Sequence, residues 1–179
     1  GQQRMAAAGM AQQVDLRLQD YRDIQDGPYD AICSIEMLEA VGREYWPTYF
    51  AHVQRLLKPG GKACIQAIVI DDALFDRYVQ GTDFIQQYIF PGGCLPSTER
   101  VRAEAQRAGL RVEQEFAFGQ DYAETLRRWH HQFVQQRGQV LMQGFDTRFL
   151  HTWEFYLAYC EAAFSVRNID VVQFTLVKD

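Results

Sequence analysis

The sequence predicts an α/β domain on a mostly parallel sheet, and three observations predict it. Apolar runs of strand length recur along the chain. Stretches with helical periodicity separate them. Glycine or proline turns close the helical stretches.

The opening GQQRMAAAGMAQQ favours helix, with Gly9 as its stop. It carries no helix start of its own, so a preceding segment is expected. Residues 14–19, VDLRLQ, alternate apolar and polar and read as a half-buried strand. A polar stretch then turns at Gly27-Pro28. Residues 29–35, YDAICSI, form a short apolar run typical of a strand buried on both faces.

EYWPTYFAHVQRLLKPGG is helical in pattern. Trp46, Tyr49, Phe50, Val53 and Leu57 share one face, Pro47 suits the first turn, and Lys58-Pro59-Gly60-Gly61 ends it. Residues 62–70 are a second buried strand. Residues 71–96 form an aromatic-rich insertion containing the turn Pro91-Gly92-Gly93. Ser97 caps the helix STERVRAEAQRAG and Gly109 stops it. A strand over 110–118, helices over 122–136 and 147–164, and a final strand over 169–177 complete the order. The stripe Phe149, Trp153, Tyr156, Leu157, Cys160 and Phe164 on the last helix reads first as core.

Length and composition suit one globular domain over residues 1–179, with a formal net charge of -5. Lys and Arg are scattered without a basic run, which excludes a nucleic-acid footprint. Cys33, Cys64, Cys94 and Cys160 form no CxxC pair, and buried free thiols are the expected state. The four histidines show no metal-ligand spacing. With neither a membrane-length apolar run nor a signal peptide, the cytoplasm is the default expectation.

Several stretches together resemble the cyclopropane-fatty-acid synthase family, which includes the mycolic acid cyclopropane synthases. They are LQDYRDI, YDAICSIEMLEAVG, YWPTYF with LLKPGG, DFIQQYIFPGGCLPS, FGQDYAETLRRW and FYLAYCEAAFSVRNIDVVQFTLVK. LLKPGG alone is weak, whereas YIFPGGCLPS and the C-terminal stretch are specific. The resemblance implies a Rossmann-like fold of S-adenosylmethionine (SAM)-dependent methyltransferases, with a reversed final strand. By that register residues 14–19 are the third of seven strands. The first two strands and the glycine-rich turn between them are then absent, so the chain is expected to be a C-terminal fragment that binds SAM poorly alone. Residues 71–96 and 120–165 become insertions that surround an acyl chain.

The same resemblance implies site residues. Asp20 and Tyr21 are expected at the adenine of SAM, with Ile35 and Glu36 nearby on the cofactor side. Glu39, Tyr122, Gln66 and the backbone of Ile68 are expected around a bicarbonate ion that acts as general base. Gln66 departs from the family's histidine, and unlike histidine it carries no proton at neutral pH. The aromatics Tyr78, Phe84, Tyr88, Phe90, Trp129, Trp153 and Tyr156 are expected to supply a pocket whose ring faces stabilise a carbocation.

The implied activity is methyl transfer from SAM to the double bond of an unsaturated phospholipid acyl chain, with closure to a cyclopropane. One alternative is a related methyltransferase acting on another carbon or nitrogen acceptor without ring closure. Another is a catalytically incompetent, lipid-contacting fragment. The implied partners are a lipid acyl chain, with peripheral membrane contact, and a second copy paired through an exposed sheet edge.

Overall fold

A computed structural model gives the structure of residues 1–179. Four strands form one sheet: β1 (Tyr29–Ile35), β2 (Leu57–Ile70), β3 (Leu110–Ala117) and β4 (Ile169–Lys178). Their spatial order is β1-β2-β4-β3. β1 and β2 run parallel, and β4 is antiparallel to both of its neighbours. The last strand in sequence is therefore inserted between strands made earlier, the reversed arrangement that the resemblance implies.

The helices are α1 (Gln2–Ala7), α2 (Trp46–Leu56), α3 (Asp72–Tyr78), α4 (Phe84–Tyr88), α5 (Thr98–Arg107), α6 (Gly119–Gln135), α7 (Arg137–Met142) and α8 (Thr147–Ser165). No helix is long and apolar enough to cross a membrane. Most ends follow local chemistry. Pro47 sits in the first turn of α2, and Ser97 caps α5 through the Arg100 amide. The Lys178 ammonium donates to the carbonyls of Gln54 and Leu57, closing the C-terminal end of α2. Asp83 and Gln86 make a reciprocal capping box on α4.

The main core lies on one face of the sheet, where α2 and α5 pack. Ala63, Ile65, Ala67 and Val69 of β2 alternate into it with Val172, Phe174 and Leu176 of β4. On the opposite face, α6 and α8 bury a smaller cluster of Ala123, Leu126, Leu157, Phe164 and Val171.

Four expectations change. Residues 14–19 form no strand, and Leu18 is fully exposed. Alternation makes a strand only where a neighbouring strand supplies hydrogen bonds, and this segment has none. β1 is not buried on both faces. It is an edge strand whose second face no helix covers, so Cys33 is exposed and Ile35 is 56% exposed. Cys33 pairs in register with the partly buried Cys64, so the expectation of buried thiols fails here. Finally, β2 begins at Leu57, and Lys58-Pro59-Gly60-Gly61 forms its irregular first part rather than a separate turn. Gly60 takes φ 74° there, and the register with β1 slips between Tyr29 and Ala31.

One carboxylate fixes the start of α6. Asp170 Oδ1 accepts from the Gly119 amide at 2.7 Å and from the Val171 amide at 2.8 Å. A Cβ on Gly119 would lie 2.5 Å from that oxygen, so only glycine fits. Replacing Asp170 with Ala is expected to cost about 1–2 kcal/mol, the usual loss for a helix-start acceptor. Urea unfolding of the two proteins measures it, and equal midpoints would refute the assignment.

Candidate active site at the carboxyl ends of β1 and β2

Ligands in open α/β sheets bind beyond the carboxyl ends of parallel strands. At that end of β1 and β2 lies a cavity of about 880 Å³, largely apolar and bordered by Tyr78, Phe90, Tyr156 and Tyr159. Its size falls within the usual range for small-molecule sites. Glu36, Glu39 and Ile68 also line it and supply polar groups.

Glu36 follows β1 directly. Its amide donates to the Gln66 carbonyl at 2.8 Å, the closing bond of the parallel ladder between β1 and β2. Its backbone then turns to φ 50°, a left-handed conformation that costs a non-glycine residue roughly 1–2 kcal/mol. No α-helical turn joins Glu36 to Glu39. Glu39 instead sits in a short 3-10 turn, Leu38–Ala40, and both acids reach the same cavity.

The Glu36 carboxylate is the hub of a network. Its Oε1 accepts from the Tyr122 hydroxyl at 2.6 Å and from Gln66 Nε2 at 2.9 Å. Gln66 is held in turn, because its Oε1 accepts from Gln173 Nε2 at 2.9 Å. Gln66 and Gln173 are register partners on β2 and β4, so the sheet sets this geometry. Tyr122 lies one turn into α6 and packs on Phe164, with ring centroids 5.1 Å apart. Burial, and after it the bonded Glu36 carboxylate, push the Tyr122 hydroxyl well above its usual range. It therefore remains a donor.

Glu39 is placed by different partners. Its Oε1 accepts from the Ile68 amide at 2.5 Å, while its buried Oε2 has no partner. Burial raises the carboxyl above its usual range, the Ile68 bond opposes the rise, and the Glu36 charge adds to it. The Glu39 carbonyl accepts from the Cys94 amide at 2.8 Å, which anchors the PGGCLP loop beside the acid. Gln86 Nε2 and the Tyr78 hydroxyl tie the same loop down at Gly93 and Leu95. Cys160 also lines the cavity, but burial pushes its thiol up to about 12, which suits an inert wall rather than a nucleophile.

The sequence-derived residues thus divide into two groups. Glu36, Glu39, Gln66, Ile68 and Tyr122 come together. Asp20 and Tyr21 lie elsewhere, on the α2 side of the sheet. Asp20 caps a 3-10 turn and pairs with Arg22, and Tyr21 packs edge-on against Tyr49 and His52. Ile35 is outside the cavity and largely exposed. Among the expected aromatics, Tyr78, Phe90 and Tyr156 line the cavity. Phe84 and Tyr88 border a separate space of about 460 Å³ with Phe149, and Trp129 is exposed. Tyr159 and Gln173 were missed. Tyr159 sits three residues past Tyr156 on α8, a spacing that places both on one side of the helix. Gln173 had the signal of a polar residue inside an apolar strand.

The fold and the acid-lined cavity at its strand ends define the class of SAM-dependent methyltransferase folds. A structure of a mycolic acid cyclopropane synthase, solved with SAH and CTAB, superposes with a TM-score of 0.79 at 29% identity. The match covers 89% of this chain and 59% of that one. The family model for mycolic acid cyclopropane synthetase matches residues 1–174, and the chain belongs to that family. It is 46% identical over 180 residues to a tuberculostearic acid methyltransferase of Mycobacterium tuberculosis, covering 99% of this chain and 42% of the relative. It is 36% identical over 160 residues to the cyclopropane-fatty-acyl-phospholipid synthase of Escherichia coli, covering 89% and 40%. The chain thus spans less than half the length of these two relatives.

The raised carboxyl of Glu39 has a measurable consequence. The folded chain holds this proton more tightly than the unfolded chain, whose carboxyl stays near 4.5. Stability is therefore lost as pH rises from there through the folded value. Glu39→Gln removes that loss and keeps an acceptor for Ile68. Its stability gain over the natural protein should be small at about pH 4 and larger at about pH 7. Urea midpoints at the two pH values measure it, and a gain independent of pH would refute the burial argument.

Proposed function

We propose that the protein transfers the methyl group of SAM to an isolated double bond in the acyl chain of a lipid. The observation that carries this reading is the cavity itself, an apolar, tyrosine-bordered space with acidic groups at one wall, at the strand ends where this fold class binds its ligands. The relatives' names and the CTAB-bound structure support a lipid acceptor. A phospholipid acyl chain, reached by peripheral contact with a membrane, is the substrate class we favour.

SAM supplies an electrophilic methyl. On the protein's side, Ile35 offers an exposed apolar surface at the end of β1, and Asp20 and Tyr21 present an acceptor and a ring, groups suited to an adenine. The cavity orients the alkene and keeps water away from the cation that forms on it. Tyr78, Phe90, Tyr156 and Tyr159 offer ring faces to that cation. Burial raises the Tyr156 hydroxyl to about 12, so its ring stays neutral.

A proton must then leave. The resemblance assigns this step to bicarbonate held by Glu39, Tyr122, Gln66 and Ile68. The donor set does not fit that ion well. Tyr122 and Gln66 both bond Glu36, and the Ile68 amide is taken by Glu39. Among these four residues, the polar atom left without a partner is the buried Glu39 Oε2.

The test is expression of the natural gene in a bacterial host that lacks cyclopropane fatty acids, fed methyl-labelled methionine. Label is expected in acyl chains, as a ring or as a methyl or methylene branch, resolved by gas chromatography and mass spectrometry. Label absent from every acyl chain, or found only on a headgroup nitrogen, would sink the reading. Replacing Tyr156 with Ala is expected to lower the rate by about tenfold through lost cation stabilisation, while Tyr156→Phe retains most activity.

A further inference from the structure

We infer that the Glu36 carboxylate is the general base of the reaction, standing where an exogenous anion would otherwise be held. The inference rests on the methyl-transfer reading above and adds the identity of the proton acceptor.

Three observations carry it. First, two donors expected to hold a small anion, Tyr122 and Gln66, both bond one oxygen of Glu36, at 2.6 and 2.9 Å. A side-chain carboxylate already occupies the anion's place in that network. Second, Glu36 lines the cavity, whereas Tyr122 and Gln66 do not. The carboxylate is thus interposed between the apolar space and its two donors. Its Oε1 is engaged by them, and no protein group bonds its Oε2. That oxygen remains for a proton taken from a molecule in the cavity. Third, the residue is held at φ 50°, where glycine is preferred. A strained glutamate kept at a cavity wall points to use of its side chain.

Gln66 then has a positioning role. A neutral amide donates to the carboxylate without supplying a competing proton. Gln173 fixes its orientation from the neighbouring strand, so Gln66 Nε2 faces Glu36. This gives the glutamine in β2 a physical reason.

The chemistry balances without a further reactant. The alkene's electron pair forms a bond to the methyl carbon as the sulfonium carbon–sulfur bond breaks. The cation left on the adjacent chain carbon is then relieved by loss of one proton from the added methyl to Glu36. The electron pair of that C–H bond closes a ring onto the cationic carbon, or forms a methylene double bond after a hydride shift. Glu36 returns the proton to solvent when the product leaves. A saturated methyl branch would need a hydride from a separate reductase and a proton from solvent, both added to the methylene product.

The test uses purified protein of the natural gene, SAM and vesicles of a monounsaturated phosphatidylglycerol. Natural protein assayed in carbon-dioxide-free buffer, with and without added bicarbonate, should form product at the same rate within about twofold. Glu36→Gln should lower product formation by at least about a hundredfold, the usual contribution of a general base. SAH affinity, by calorimetry, should change by less than about threefold. Glu36→Gly suits the left-handed backbone and opens the space of the side chain. Added formate or bicarbonate should raise its activity by about tenfold or more. Natural protein that needs added bicarbonate, or a folded Glu36→Gln variant active within about threefold, overturns the inference while leaving methyl transfer intact. Natural protein that labels no acyl chain overturns both. The bicarbonate arm needs no variant, so it decides even if Glu36→Gln does not fold.

Discussion

The site depends on the bond between the Glu36 amide and the Gln66 carbonyl, one residue beyond the end of β1. It is the last bond of the parallel ladder, closing the register pair of Ile35 and Gln66. The backbone must then leave the sheet through a left-handed residue. That sharp exit aims a glutamate back at the neighbouring strand, where a helix would have carried it away. Three polar side chains are arranged around the result. Gln66 meets the carboxylate from β2, Tyr122 from α6, and Gln173 braces from β4. Networks of this kind hold because each member satisfies another, and removing one strands a buried group.

The two glutamates illustrate how similar groups diverge by environment. Glu39 sits behind a single backbone donor with one oxygen unpartnered, and burial drives it toward its neutral form. Glu36 has two side-chain donors and an oxygen left to the cavity. Two carboxyls facing one space need such different surroundings, since like charges in close quarters oppose each other.

Periodicity and caps made most of the helices and the later strands legible. α2, α5 and α8, with β3 and β4, lie within a few residues of where the pattern puts them. The reading failed where a segment's fate depended on a partner elsewhere. Residues 14–19 have strand alternation but no strand to pair with. YDAICSI has a buried strand's composition but lies on an edge. In the site, the gathering of Glu39, Tyr122, Gln66 and Ile68 followed from resemblance and from strand order. The hub role of Glu36 did not, because it depends on a backbone angle and on side-chain directions that no residue pattern encodes. Asp20 and Tyr21 sit apart from this group for a similar reason: their 3-10 turn and the packing on Tyr49 and His52 were invisible to strand alternation.

The insertion of β4 between β2 and β3 has a consequence for biosynthesis. Ribosomes release the chain from its amino end, so β2 and β3 emerge with an unfilled gap between them. Asp170 and Gln173, which hold α6 and Gln66, both lie in β4. Until these leave the exit tunnel the cavity has no fixed wall. A nascent chain stalled before β4 is made would carry nearly every residue of the site and no working arrangement of them, with two bare strand edges open to chaperones or to aggregation.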